Sequence, residues 1–147
     1  MSFSYATPVR FADVDHAGIV YYPRFFHYFH IAFEELWRTR IGARAYSEII
    51  DRDRIGFPAV RAECDYKAPL KFGDTAEIEV SIPRLGGKSI TFRYRVYRTP
   101  EATDVPTGTR VLCAEGQVVC AVVDLARFVA VTIPEHVAEM LRDLVEA

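Results

Sequence analysis

Between Tyr22 and Arg40 the chain repeats large apolar rings at helical spacing. Tyr22, Phe25, Phe26, Phe29, Phe33, Leu36 and Trp37 fall on one wide face. From Pro58 onward the period changes. Ala76, Ile78, Val80 and Ile82 alternate with polar residues, and Ile90, Phe92, Tyr94 and Val96 do so again on the far side of Gly86-Gly87. A long helix with one broad apolar face must bury that face, and strands that are apolar on one side supply the cover. The pattern therefore predicts an α+β chain, an antiparallel sheet wrapped around one long central helix.

The remaining elements follow from local signals. Pro23 fits the first turn of the helix and Gly42 its end. A short helix is expected over 43–52, and strands over 5–11, 58–67, 75–82, 89–98, 110–124 and 128–133. An amphipathic helix over 134–146 closes the chain. Like faces of the central pair meet when residue numbers sum to about 172, which sets Glu79 against Arg93 and Glu77 against Arg95. The stretch 99–109 is rich in turn residues and reads as a long connection.

Length and composition bound the class. A chain of 147 residues fits one domain spanning 1–147, and with 50% apolar or aromatic residues it is globular. A formal charge of −2 gives no reason to expect a nucleic-acid or anionic-membrane partner. No apolar run reaches membrane-spanning length and residues 1–20 lack a signal-peptide pattern, so the expected location is cytoplasmic. Cys64, Cys113 and Cys120 lack a Cys-x-x-Cys spacing and read as free, buried thiols.

The chemistry concentrates in Asp13-Val-Asp-His-Ala-Gly-Ile-Val-Tyr-Tyr-Pro23. Asp15 stands at the mouth of the long helix, beside backbone N–H groups without helical partners. A carboxylate plus such amides is the minimum equipment for attacking an acyl carbonyl. Gly18 and the amides of Tyr21 and Tyr22 are the oxyanion candidates. The bland alternative is that Asp13 and Asp15 only cap a turn. His30 and Glu34, four residues apart, are either a surface hydrogen-bonded pair or part of the site. A calcium loop over Asp13–Gly18 fails, because Arg24 stands where a bidentate Glu is required. A zinc site of His16, His27, His30 and Glu34 lacks the His-Glu-x-x-His spacing, so no metal or other cofactor is expected.

This motif, with Phe57-Pro-Ala-Val60 and Lys88-Ser89, resembles the 4-hydroxybenzoyl-CoA thioesterase family of hotdog-fold acyl-CoA thioesterases. The resemblance implies a hotdog fold and hydrolysis of an acyl-CoA, of aryl type by preference, to free acid and coenzyme A. Asp15 matches the family's catalytic carboxylate, which attacks the thioester or activates water, and Asp13 matches a structural acid. His30 replaces an acid that receives the substrate phenol in that family. With Glu34 it is similar to the pattern of dihydroxynaphthoyl-CoA thioesterases. Lys88 and Ser89 match residues that meet the nucleotide end of coenzyme A, and Arg84 substitutes for family arginines replaced here by Gly86 and Gly87. The resemblance also implies a homodimer or homotetramer with active sites at the subunit interface. The competing readings are an acyl-carrier-protein thioesterase and a non-catalytic acyl-CoA binding domain.

Overall fold

The computed structural model of the chain describes residues 1–99 and 110–147. Strand β1 (Phe3–Pro8) leads through a single 3-10 turn at Phe11–Asp13 to helix α1 (Arg24–Ile41) and helix α2 (Ala43–Asp51). Then follow β2 (Ile55–Gly56), β3 (Ala59–Tyr66), β4 (Thr75–Leu85), β5 (Ser89–Thr99), β6 (Val111–Ala121), β7 (Val123–Asp124) and β8 (Val129–Ala130). Helix α3 (Glu135–Leu141) and a 3-10 turn at Arg142–Leu144 end the order. The main sheet is antiparallel in the order β1-β4-β5-β6-β3, and β2, β7 and β8 make a small second sheet. The connection expected over 99–109 lies, from residue 100 on, outside the described residues.

The alternation read from β4 and β5 sets the buried face. Ala76, Ile78, Val80, Ile82, Ile90, Phe92 and Val96 are fully enclosed. Against them α1 buries Phe25, Tyr28, Phe29, Ala32, Phe33, Leu36 and Trp37. Phe29 lies flat on Tyr94, with ring centroids 4.8 Å apart, and Phe33 meets Phe92 edge-on at 5.4 Å. Burying rings of this size at about 25 cal/mol per Å² is the main force fixing the helix on the sheet. Gly116 of β6 permits the close approach. A Cβ there would fall 2.5 Å from the Phe29 ring and 2.6 Å from the Glu63 carbonyl oxygen.

Trp37 sits further along α1 between two rings, stacked on Tyr46 at 5.6 Å and on Phe57 at 5.5 Å. Its Nε1 is enclosed and has no hydrogen-bond partner among the described residues.

Several expectations are corrected. The β4–β5 register sums to 174, so Glu79 faces Arg95 and Ser81 faces Arg93. The turn centres on Gly87-Lys88: the Gly86 N–H donates to the Ser89 carbonyl at 2.9 Å, and β4 carries a bulge between Ser81 and Arg84. The two-residue slip keeps side chains on their faces but changes charge partners. Arg95 pairs with Glu79 and Glu115, Arg93 with Glu115 and Glu146, and Glu77 with Arg110. Helix α1 starts at Arg24, because the Tyr21 carbonyl accepts the Arg24 N–H in a turn that precedes the helix. The first strand ends at Pro8, the strand expected over 128–133 shrinks to Val129–Ala130, and α3 stops at Leu141. Beyond α3, Val145 bridges Ile82 and the Glu146 N–H donates to the Ile82 carbonyl at the β4 bulge. No helix among the described residues is long and apolar enough to cross a membrane.

Candidate active site

The Asp13–Pro23 segment folds as a miniature hairpin pinned to the mouth of α1. Val14 bridges Val20, the Asp15 N–H donates to the Ile19 carbonyl at 2.9 Å, and the Gly18 N–H returns to the Asp15 carbonyl at 3.0 Å. Gly18 has φ +85°, which a side chain would oppose. Two carboxylates two residues apart meet opposite fates here. Asp13 is buried and fully engaged: it accepts the Arg10 N–H at 2.9 Å and the Tyr28 hydroxyl at 3.0 Å, and pairs with Arg24 at 3.4 Å. Burial, then the bond to Asp13, holds the Tyr28 hydroxyl protonated far above its ordinary range.

Asp15 is exposed. Its Oδ1 accepts the Ala17 N–H at 2.8 Å, which fixes the carboxylate in an Asx turn, and Oδ2 has no partner among the described residues. Of the three oxyanion candidates, two amides are already committed. The Gly18 N–H serves the turn, and the Tyr21 N–H donates to the Asp13 carbonyl at 2.9 Å. The Tyr22 N–H meets no acceptor among the described residues, two residues before the positive end of α1. The Tyr22 carbonyl accepts the Tyr66 hydroxyl at 2.9 Å. A free carboxylate oxygen and a free amide thus stand on one rigid scaffold.

Phe26, His30 and Glu34 follow one another at four-residue steps along the side of α1 not fully buried by the sheet. His30 Nε2 and Glu34 Oε1 are 2.9 Å apart on side chains 62% and 56% exposed. His30 also borders a cavity of about 410 Å³ walled by Phe26, Phe29, Phe33, Phe57, Tyr94 and Cys120 among others. A second cavity of about 350 Å³ lies beside the Asp15 hairpin, lined by Ile19, Tyr22, Phe25, Tyr66 and Lys67 among others. The two share no lining residue. Among the described residues no three His, Cys, Asp or Glu side chains are grouped to hold a metal ion.

The sheet register separates the predicted residues further. The hairpin is tied to the end of β4 that begins at Thr75, through the Ile19–Lys71 bridge. Arg84, Lys88 and Ser89 stand at the other end, where Ala59 and Ile90 both pair with Cys120. β4 is 11 residues long, so these ends lie roughly 35 Å apart at the usual strand rise. Arg84 and Lys88 are exposed and form no ion pair among the described residues. One chain therefore carries Asp15 and Tyr22 on one segment before α1, and sets His30, bonded to Glu34, on the rim of the aromatic cavity, but keeps Lys88 and Ser89 distant from Asp15. Sequence reasoning missed Tyr66 and Tyr94; both lie on strands whose alternation marks them only as wall or surface.

Comparison with known proteins shows the family and the fold. The thioesterase-like superfamily profile covers residues 9–141. A 1,4-dihydroxy-2-naphthoyl-CoA hydrolase of Synechococcus elongatus is 33% identical over 117 residues, 78% of this chain and 83% of that protein. A solved gentisyl-coenzyme A thioesterase is 31% identical with a TM-score of 0.74, covering 92% of this chain and 98% of its own. A 4-hydroxybenzoyl-CoA thioesterase, 23% identical, shares the fold with a TM-score of 0.80 over 95% of this chain and 98% of its own. The chain belongs to the thioesterase-like superfamily and has the hotdog fold of its thioesterases.

Proposed function

We propose that this protein hydrolyses an acyl-CoA thioester, with an aromatic acyl group, to the free acid and coenzyme A. The observation that carries the reading is that the segment before α1 holds both an Asp15 Oδ2 and a Tyr22 N–H without partners among the described residues. The Tyr22 amide, aided by the helix dipole, receives the thioester carbonyl oxygen as it gains negative charge. Asp15 then acts in one of two ways. It attacks the carbonyl carbon, releasing the thiolate of coenzyme A and leaving an anhydride that water cleaves, or it takes a proton from water that attacks directly. Relatives named for naphthoyl- and gentisyl-CoA, together with the aromatic cavity walls, favour an aryl group.

The complete site needs two copies. Strand β3 is a sheet edge exposed along most of its length, and an open edge of this kind calls for a partner. Tyr66 marks its Asp15 end and Ala59 its cavity and Lys88 end. Antiparallel pairing of two β3 edges across a two-fold axis sets the Asp15 hairpin of one copy against the aromatic cavity, Lys88, Ser89 and Arg84 of the other. Lys88 and Arg84 then serve the phosphates of coenzyme A, and His30 with Glu34 flanks the acyl group. The work is cytoplasmic in this reading, with a homodimer as the minimal unit.

The test is free-thiol release from a panel of benzoyl-, hydroxybenzoyl-, naphthoyl-, phenylacetyl- and alkyl-CoA. Turnover of an aryl member, reduced about 10²-fold or more in Asp15→Asn, is expected. No turnover of any member overturns the reading, and full turnover in the variant overturns the role of Asp15.

A further inference from the structure

The cavity bordered by His30 is walled almost wholly by apolar side chains: three phenylalanines of α1 on one side, and Phe57, Pro58 and Val118 among those opposite. Tyr94 breaks that pattern. It stands on β5 at 2% exposure, its ring parallel to Phe29 within 8°. Ring contacts with Phe29 at 4.8 Å and Phe92 at 6.2 Å restrict the ring and with it the place of the hydroxyl.

That hydroxyl makes no hydrogen bond among the described residues, unlike that of Tyr28, the other fully buried tyrosine, which is satisfied by Asp13. A tyrosine oxygen withdrawn from water normally finds a partner, because leaving it bare costs free energy. Trp37 Nε1 is the enclosed polar side-chain atom left without a partner among the described residues. The Tyr94 oxygen is likewise unpartnered among the described residues, and Tyr94 lines the cavity beside Cys120 and Val118. Burial holds the Tyr94 hydroxyl neutral well above its ordinary range, and it pushes the neighbouring Cys120 thiol up to about 11. The wall at this point therefore offers a neutral donor-acceptor and no charge.

The geometry points to Tyr94 as a specificity-determining residue, whose hydroxyl recognises an uncharged oxygen substituent, a ring hydroxyl, on the aromatic acyl group. This rests on the reading that the cavity takes the acyl group of a thioester. An unsubstituted ring leaves the Tyr94 oxygen bare in an apolar cavity, and such sites discriminate against the ligand that lacks the matching group.

The experiment compares kcat/KM for benzoyl-CoA and its 2-, 3- and 4-hydroxy isomers in the wild type and in Tyr94→Phe, which keeps the ring stack. One hydroxy isomer is expected to exceed benzoyl-CoA by about tenfold in the wild type. In the variant the two come to near parity. A ratio that survives in Tyr94→Phe overturns the assignment, as does a wild type that favours benzoyl-CoA. Should the variant fail to fold, the wild-type isomer series decides: a single favoured position supports a fixed donor, and equal rates overturn it. Failure of the parent reading looks different, since the wild type then releases no thiol from any of the four.

Discussion

The hydroxyl of Tyr66, the last residue of β3, donates to the carbonyl oxygen of Tyr22 at 2.9 Å. This bond ties the edge strand to the residue whose N–H is free at the mouth of α1. It spans 44 residues of sequence, and it holds the backbone of Tyr22 in place without touching the reacting atoms. Tyr66→Phe keeps the ring contact with Phe25 at 5.4 Å and removes only the donor. Steady-state kinetics should show kcat lowered roughly 3- to 10-fold with KM within about twofold, the signature of lost transition-state positioning. A change confined to KM would refute that positioning role.

Val60 is 66% exposed on the β3 edge. A charge there would oppose strand-to-strand pairing between copies. Val60→Asp should shift the mass measured by light scattering from dimer to monomer, and thiol release should fall at least about tenfold with it. A monomer with full activity would sink the two-copy site.

Gly116→Ala places a methyl group against a ring and a backbone carbonyl at once, 2.5 and 2.6 Å away. The carbonyl belongs to the neighbouring strand and has little room to move. Urea unfolding should show a loss of about 1–3 kcal/mol, the usual cost of overpacking. An unchanged midpoint would mean that Phe29 and β3 give way freely.

Arg40 clamps both carboxylate oxygens of Asp143 and also donates to the Met140 carbonyl. Its hydrogen bonds hold the Asp143 carboxyl below the ordinary range, against a smaller opposing effect of burial. A carboxyl whose folded value is depressed stabilises the fold above its unfolded value, and loses that contribution as pH falls through the folded value. Thermal melts between pH 7 and 3 should show Tm dropping on the acid side, with a shallower drop in Asp143→Asn. Identical acid limbs would show that the clamp contributes nothing.

Periodicity made the architecture legible before any coordinates: the aromatic face of α1 and the alternation of β4 and β5 are local properties of the sequence. The register was not, because it depends on the bulge near Pro83, where the chain returns at Val145 and Glu146 to meet Ile82. Within the site, the motif singled out Asp15 but could not say which amide is free. That depends on Asp13 engaging the Tyr21 N–H through its own carbonyl, a contact no spacing reveals. Tyr66 and Tyr94 were illegible for a similar reason: on a strand, a tyrosine that merely packs and one that presents its hydroxyl look alike.

Trp37 is the sole tryptophan of the chain, shut away from water and clasped between Tyr46 and Phe57. Phe57 is also part of the wall of the aromatic cavity. The molecule therefore carries its own optical gauge. Its emission comes from one dry indole, free of contributions from any other, and a ring that enters the cavity disturbs the neighbour on which that indole leans. Occupancy can be followed by ultraviolet fluorescence alone, with no dye attached and no turnover required.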